Sequence, residues 1–162
     1  GSRRAGSARQ DRRRSWAKHL GENMNLAPPA PILTAAVTLL AILLPIGSPI
    51  LVARTRRKTG IQPPAMSGEP RLERALRVQG NTVEGFVLFI PALWLAALYF
   101  QGWAPPLIGL AWILGRLVFA VGYMKSANSR HIGFAISVFS VLLLVILAAI
   151  GLFGAWTAAN AA

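Results

Sequence analysis

The sequence predicts an all-α integral membrane fold, a bundle of four helices that cross the bilayer and are joined by short loops. Three observations predict it. Of the 162 residues, 54% are hydrophobic and only 14% charged, with a mean hydropathy of +0.51; a water-soluble domain of this length carries about 25% charged residues. The missing charge is concentrated in long uncharged runs. Four such runs follow one another, separated by polar or Pro/Gly-rich segments, and the length suits a single domain.

The first helix is expected over residues 30–54. Its apolar run, Ala30 to Ala53, is interrupted by Pro45, Gly47, Ser48 and Pro49; at 1.5 Å per residue it reaches roughly 35 Å, enough for a tilted, kinked crossing. The basic run Arg54-Thr-Arg-Arg-Lys58 ends it, and a Pro/Gly-rich loop from Gly60 to Pro70 follows. The second helix, residues 71–100, begins before its apolar part and contains Pro91 as a kink. Gln101-Gly-Trp-Ala-Pro-Pro106 is an uncharged turn. The third helix is expected over 107–123, and Lys125-Ser-Ala-Asn-Ser-Arg130 is a short polar turn. The fourth, residues 131–153, is almost purely aliphatic.

The loops set the orientation. The first and third carry Arg54, Arg56, Arg57, Lys58, Lys125 and Arg130, whereas the second loop and the C-terminal tail carry no charge. Basic loops stay on the cytoplasmic side, so both termini are expected on the far side. The N-terminal tail conflicts with this, because seven of the seventeen basic residues lie in the first eighteen positions. Met24 stands directly before Asn-Leu-Ala-Pro-Pro and the first helix. Residues 1–23 therefore read as a basic extension, disordered or non-native, ahead of a membrane domain at residues 24–162. The alternative is a native tail held on anionic lipid.

Composition excludes several kinds of chemistry. With no cysteine there is no disulfide, thiolate metal site or cysteine nucleophile, and two histidines are too few for a histidine metal centre within one subunit. A net charge of +12 suggests nucleic acid. Its placement in the tail and at helix ends argues instead for a membrane protein with no nucleic-acid partner.

Polar residues inside the apolar helices point to the site. Arg74, Arg77, Asn81 and Glu84 are spaced three, four and three apart, so they share one helical face. Arg116, Phe119 and Tyr123 repeat that spacing on the third helix, and Arg130 stands where the fourth begins. A charge within the bilayer costs several kcal/mol even on lenient scales, so such residues turn inward and pair. Glu84 and Arg116 are the expected structural ion pair. Several guanidiniums, one carboxylate and one phenol near one membrane face suit a small zwitterionic ligand with more anionic than cationic groups; glutathione has that pattern. The plainer reading is that the cluster only joins helices.

The block Glu73-Arg-Ala-Leu-Arg-Val-Gln-Gly-Asn-Thr-Val-Glu84 resembles the second-helix signature of the membrane-associated proteins in eicosanoid and glutathione metabolism, the MAPEG family. Gly115-Arg-Leu-Val-Phe-Ala-Val-Gly-Tyr123, with Arg130 seven residues later, resembles the family's third- to fourth-helix signature. Within the family the chain is most similar to the leukotriene C4 synthase and microsomal glutathione S-transferase branch, from about Leu33 into the fourth helix.

The resemblance implies a homotrimer with glutathione as co-substrate, bound between subunits near the cytoplasmic face, and no metal. It implies that Arg77, Gln79, Asn81 and Glu84 hold the peptide, Glu84 taking its ammonium. Arg56 would reach a glutathione carboxylate from the neighbouring subunit. Tyr123 would add a hydrogen bond, and Arg130 would be catalytic, stabilising the thiolate. Arg74 matches the motif but reads better as an orienting or lipid-facing charge. The implied activity is glutathione transfer to lipophilic electrophiles, or reduction of lipid hydroperoxides, as in detoxification. The implied home is the bacterial inner membrane or, in a eukaryote, the endoplasmic reticulum. Gly85 and Phe119 stand where leukotriene C4 synthases have tyrosines that contact glutathione, and Val78 replaces a common alanine. The two lost hydroxyls weaken the case for leukotriene synthesis itself. The rival readings are a non-catalytic subunit that keeps the fold and a small transporter, for which the chain is short and lacks a pair of broken helices.

Overall fold

The computed structural model describes residues 29–100 and 102–161; the basic extension at 1–23 lies outside them. The described residues form four long helices: α1 (Pro29–Thr59), α2 (Pro70–Tyr99), α3 (Ala104–Lys125) and α4 (His131–Asn160). A 3₁₀ turn, Ala127–Arg130, links the last two. All four helices are long and apolar enough to cross a membrane.

Each element is where its hydropathy places it; the second helix matches its expected span to within one residue at each end, and the other three run further. α1 continues through the basic run to Thr59, because Arg56, Arg57 and Lys58 in its last turn favour the negative end of the helix dipole. It stops at Gly60, whose φ of +73° breaks the helix and whose N–H donates to the Arg56 carbonyl at 2.9 Å, a glycine C-terminal cap. α2 starts with Glu69, whose carboxylate accepts from the Leu72 N–H at 2.9 Å, and Pro70 follows in the first helical turn, which tolerates it. α3 likewise opens with Pro105 and Pro106 in its first turn, three residues earlier than hydropathy places it. α4 runs seven residues past the expected end, into Trp156 and Asn160. Pro45, Pro49 and Pro91 all lie within continuous helices.

The core is narrow. Val37, Ala41, Phe89, Leu93, Trp112 and Leu144 meet at its centre, and the Phe89 and Trp112 rings stack 4.0 Å apart and nearly parallel. Large apolar residues such as Leu39, Leu43, Val87, Phe139 and Phe153 are exposed along the outside, as a lipid-facing surface requires. α3 and α4 make the closest approach. A Cβ on Gly133 would collide with the backbone of Phe119 and one on Gly115 with Ser137. Small residues that let two backbones touch hold membrane helices together by dispersion, since lipid supplies no hydrophobic drive between them.

Candidate functional site

At 30 residues, α2 extends for ~45 Å, against a hydrocarbon core of ~30 Å. Its first turns therefore stand near one membrane face, where α1 ends and the α3–α4 turn lies. Arg77, Asn81 and Glu84 lie on one stripe of α2, and the Asn81 amide donates to the Arg77 carbonyl at 3.2 Å. A second stripe, Val78, Thr82 and Phe89, is buried. The two stripes divide the polar residues of the site between an open side and a packed side.

Arg116 belongs to the packed side. It is 4% exposed, its Nη2 donates to Thr82 Oγ1 at 3.4 Å, and its Cζ lies 4.5 Å from the centre of the Phe119 ring. Among the described residues Arg116 is held by Thr82 and Phe119 rather than by a direct bridge, while the Glu84 carboxylate lines the same hollow and acts on it electrostatically. Thr82 is the partner that spacing of charges missed, although a threonine four residues after a buried valine was the available signal.

The Phe119 ring stacks in turn on Tyr123, centres 5.6 Å apart. Arg130 closes the series: its Cζ lies 5.4 Å from the Tyr123 ring centre and its Nη1 donates to the Tyr123 hydroxyl at 3.4 Å. The result is a row of guanidinium, ring, ring, guanidinium along α3. Arg130 is positioned by the 3₁₀ turn, which is pinned by a 2.8 Å contact between the Ser126 and Ser129 hydroxyls and by the Ser126 N–H on the Gly122 carbonyl.

Three hollows surround Asn81. One, of about 440 Å³, is lined by Arg77, Asn81, Phe119, Tyr123, Arg130, His131 and Phe134. A second, of about 460 Å³, lies toward the α1–α2 loop and includes Ser67, Glu73, Arg77 and Glu84. The third, of about 310 Å³, runs between α2, α3 and α4 past Glu84, Gly85, Trp112, Arg116 and Ser137 to Leu88 and Leu142. The structure thus brings together Arg77, Asn81, Glu84, Tyr123 and Arg130. Gln79 and Arg56 line none of the three; within its own protomer Arg56 donates to the Ile61 carbonyl at 3.3 Å. Arg74 is half-buried, and its Nε has no partner. Phe134 joins two of the hollows and was not anticipated, although it stands one helical turn after Arg130. Cationic groups on one side of Asn81 and the Glu84 carboxylate on the other can hold a zwitterion. Arg130 beside a phenol can stabilise an anion formed in the first hollow. Among the described residues no three His, Cys, Asp or Glu side chains gather in a metal-holding group.

Known proteins resemble this chain over most of its length. An uncharacterized protein of Synechocystis is 42% identical over 112 residues, 69% of this chain and 82% of its own length. Human microsomal glutathione S-transferase 2 is 37% identical over 121 residues, covering 75% and 82%. Bovine leukotriene C4 synthase is 40% identical over 120 residues, covering 74% and 80%. Residues 33–150 match the profile of the MAPEG family. Four membrane-crossing helices and a match across most of the chain lead to one conclusion: this is an integral membrane protein of the MAPEG family.

Proposed function

We propose that this protein is a membrane-bound glutathione transferase in which Arg130 ionises the glutathione thiol for attack on a lipophilic electrophile. The observation that carries the reading is the Arg130–Tyr123 contact at 3.4 Å on a hollow shared with Arg77 and Asn81. In this reading Arg77 and Asn81 take the peptide's carboxylates and amides, and Glu84 takes its ammonium. Gln79 helps to hold the peptide from α2. Arg56 reaches a glutathione carboxylate from the neighbouring subunit of a homotrimer, which accounts for its distance from the hollows of its own protomer. The name of the human relative, microsomal glutathione S-transferase 2, supports glutathione as the substrate.

A free thiol has a pKa of about 8.5, so only a few per cent is thiolate at neutral pH. A guanidinium a few Å away favours the charged form and lowers an acid's pKa by ~1–3. Arginine suits the task because it stays charged and cannot return the proton, which leaves to water. The thiolate sulfur then forms a bond to the electrophilic carbon as that carbon's bond to the leaving group breaks and the group departs with the electron pair; with an epoxide one C–O bond opens, and the oxygen keeps the pair, stays on the neighbouring carbon and takes a proton from water. With a lipid hydroperoxide instead, the sulfur attacks oxygen, the O–O bond breaks, and a second glutathione completes the disulfide. The lipophilic partner enters from the bilayer, which is the inner membrane in a bacterium and the endoplasmic reticulum in a eukaryote.

The test is an ultraviolet thiolate difference spectrum on detergent-solubilised protein titrated with glutathione, beside Arg130→Leu. A saturable thiolate band that disappears in the variant is expected. No band in wild type at millimolar glutathione would sink the reading and favour a non-catalytic subunit, to which the absence of hydroxyls at Gly85 and Phe119 already lends support.

A further inference from the structure

The hollow beside Arg130 holds cations and hydrogen-bonding groups but no carboxylate. Arg77 and Asn81 line it from α2, Phe119 and Tyr123 from α3, Arg130 from the 3₁₀ turn, and His131 and Phe134 from the start of α4. A thiol that ionises there has to hand its proton to something, and most of these groups cannot take it. Guanidiniums are donors only, so Arg77 and Arg130 can steady a sulfur anion without accepting anything. An amide such as Asn81 offers no basic nitrogen, and its NH₂ already donates to the Arg77 carbonyl. The Tyr123 hydroxyl oxygen already accepts from Arg130 Nη1, and a phenol is an acid rather than a base.

His131 alone among these lining residues carries a nitrogen that can accept a proton. Its place in the fold suits that use. His131 and Phe134 are three apart on α4 and so share a helical face, and both line the hollow. Neither ring nitrogen has a hydrogen-bond partner among the described residues. The charged and titratable groups that surround the imidazole in this hollow are Arg77, Tyr123 and Arg130; Glu84 lines the other two hollows instead. As the exposed first residue of α4, His131 stands at the membrane face, where an accepted proton can pass on to water.

We infer that His131 is the general base of the transferase proposed above, taking the glutathione thiol proton while Arg130 holds the sulfur anion. In this step the S–H bond breaks, its electron pair stays on sulfur, and the proton binds the free imidazole nitrogen. The imidazolium then releases that proton to bulk water. Imidazole is the side-chain type that changes charge between pH 5 and 8, and a base works best near the operating pH. The assignment rests on the transferase reading and divides the work between two neighbours in sequence. Arg130 sets how much thiolate stands at equilibrium, and His131 sets how fast it forms.

The experiment follows the thiolate band by stopped-flow absorbance after full-length, detergent-solubilised protein is mixed with glutathione at neutral pH. His131→Gln is expected to slow the rise at least ~10-fold, a modest share of the ~10²–10⁴ that a positioned base contributes. The final height of the band is expected to match wild type, because Arg130 is intact. Free imidazole added to the buffer is expected to restore the rate of the variant in proportion to its concentration. A merely structural role would show no such rescue. An unchanged rate in His131→Gln, beside a normal wild-type band, would overturn the base and leave the transferase standing. A slow rise that imidazole does not rescue would also overturn it, as would a loss of band height, which would assign His131 to binding or folding. No band in wild type would remove the transferase and the base together.

Discussion

At the scale of single residues, magnitude separates the roles proposed for Tyr123 and Arg130. Their hydrogen bond is long at 3.4 Å, and a neutral hydroxyl partner contributes ~1 kcal/mol. Tyr123→Phe keeps the ring under the guanidinium, so thiolate yield is expected to change less than ~5-fold. Arg130→Leu removes the charge itself. The pH midpoint of glutathione ionisation on the protein is then expected to rise toward the free value of ~8.5. The sign follows from the charge: a neighbouring cation stabilises thiolate, so the wild-type curve lies at lower pH, and a curve unmoved by the substitution would remove Arg130 from the chemistry. For Glu84→Gln the expected loss is in affinity, about 10- to 100-fold in the glutathione dissociation constant by calorimetry, as for a lost hydrogen bond between charged groups. The polar residues of the site were legible in the sequence because charge in an apolar helix is rare. The contacts of Arg116 were not. Spacing pairs Arg116 with Glu84, whose charge acts on it across a shared hollow, but it cannot show that the hydrogen bond goes to Thr82 on the packed stripe.

At the scale of elements, hydropathy located every helix but cut the first, third and fourth short where the apolar run ended. Helix ends are set by caps, dipoles and proline placement, which hydropathy does not weigh. α1 therefore carries its basic run to Gly60 as helix, and α3 begins at Ala104 because proline is tolerated in a first turn. The contact of α3 with α4 fixes the position of Arg130, since the 3₁₀ turn hangs between them. Gly133→Leu would drive a side chain into the Phe119 backbone. It is expected to destabilise the protein by at least ~3 kcal/mol, the upper range for overpacking, seen as a lower unfolding temperature in detergent. Gly154→Leu, where a Cβ meets nothing within 4 Å, is expected to stay within ~0.5 kcal/mol of wild type. Equal effects would mean that the close approach does not hold the pair together.

At the scale of the whole molecule, the described chain has a thin core and a broad apolar exterior, and Arg56 stands apart from the hollows that hold Arg77 and Arg130. If neighbouring subunits share a site, two defective variants can repair each other. Arg56→Ala and Arg130→Leu, each inactive alone, are expected to regain activity when co-expressed and assembled together, because some interfaces then carry both intact residues. No recovery would place Arg56 outside the site. The four crossings were legible from composition alone, whereas the proposed assembly rests on resemblance, because lipid-facing and subunit-facing leucines look alike in sequence.

The outward exposure of Leu88 and Leu142 at the mouth of the third hollow has a kinetic consequence. A substrate that enters there is drawn from a two-dimensional solvent, and its effective concentration is a mole fraction in the bilayer. Adding inert phospholipid at constant total substrate should therefore slow turnover by surface dilution, even though nothing changes in the aqueous phase.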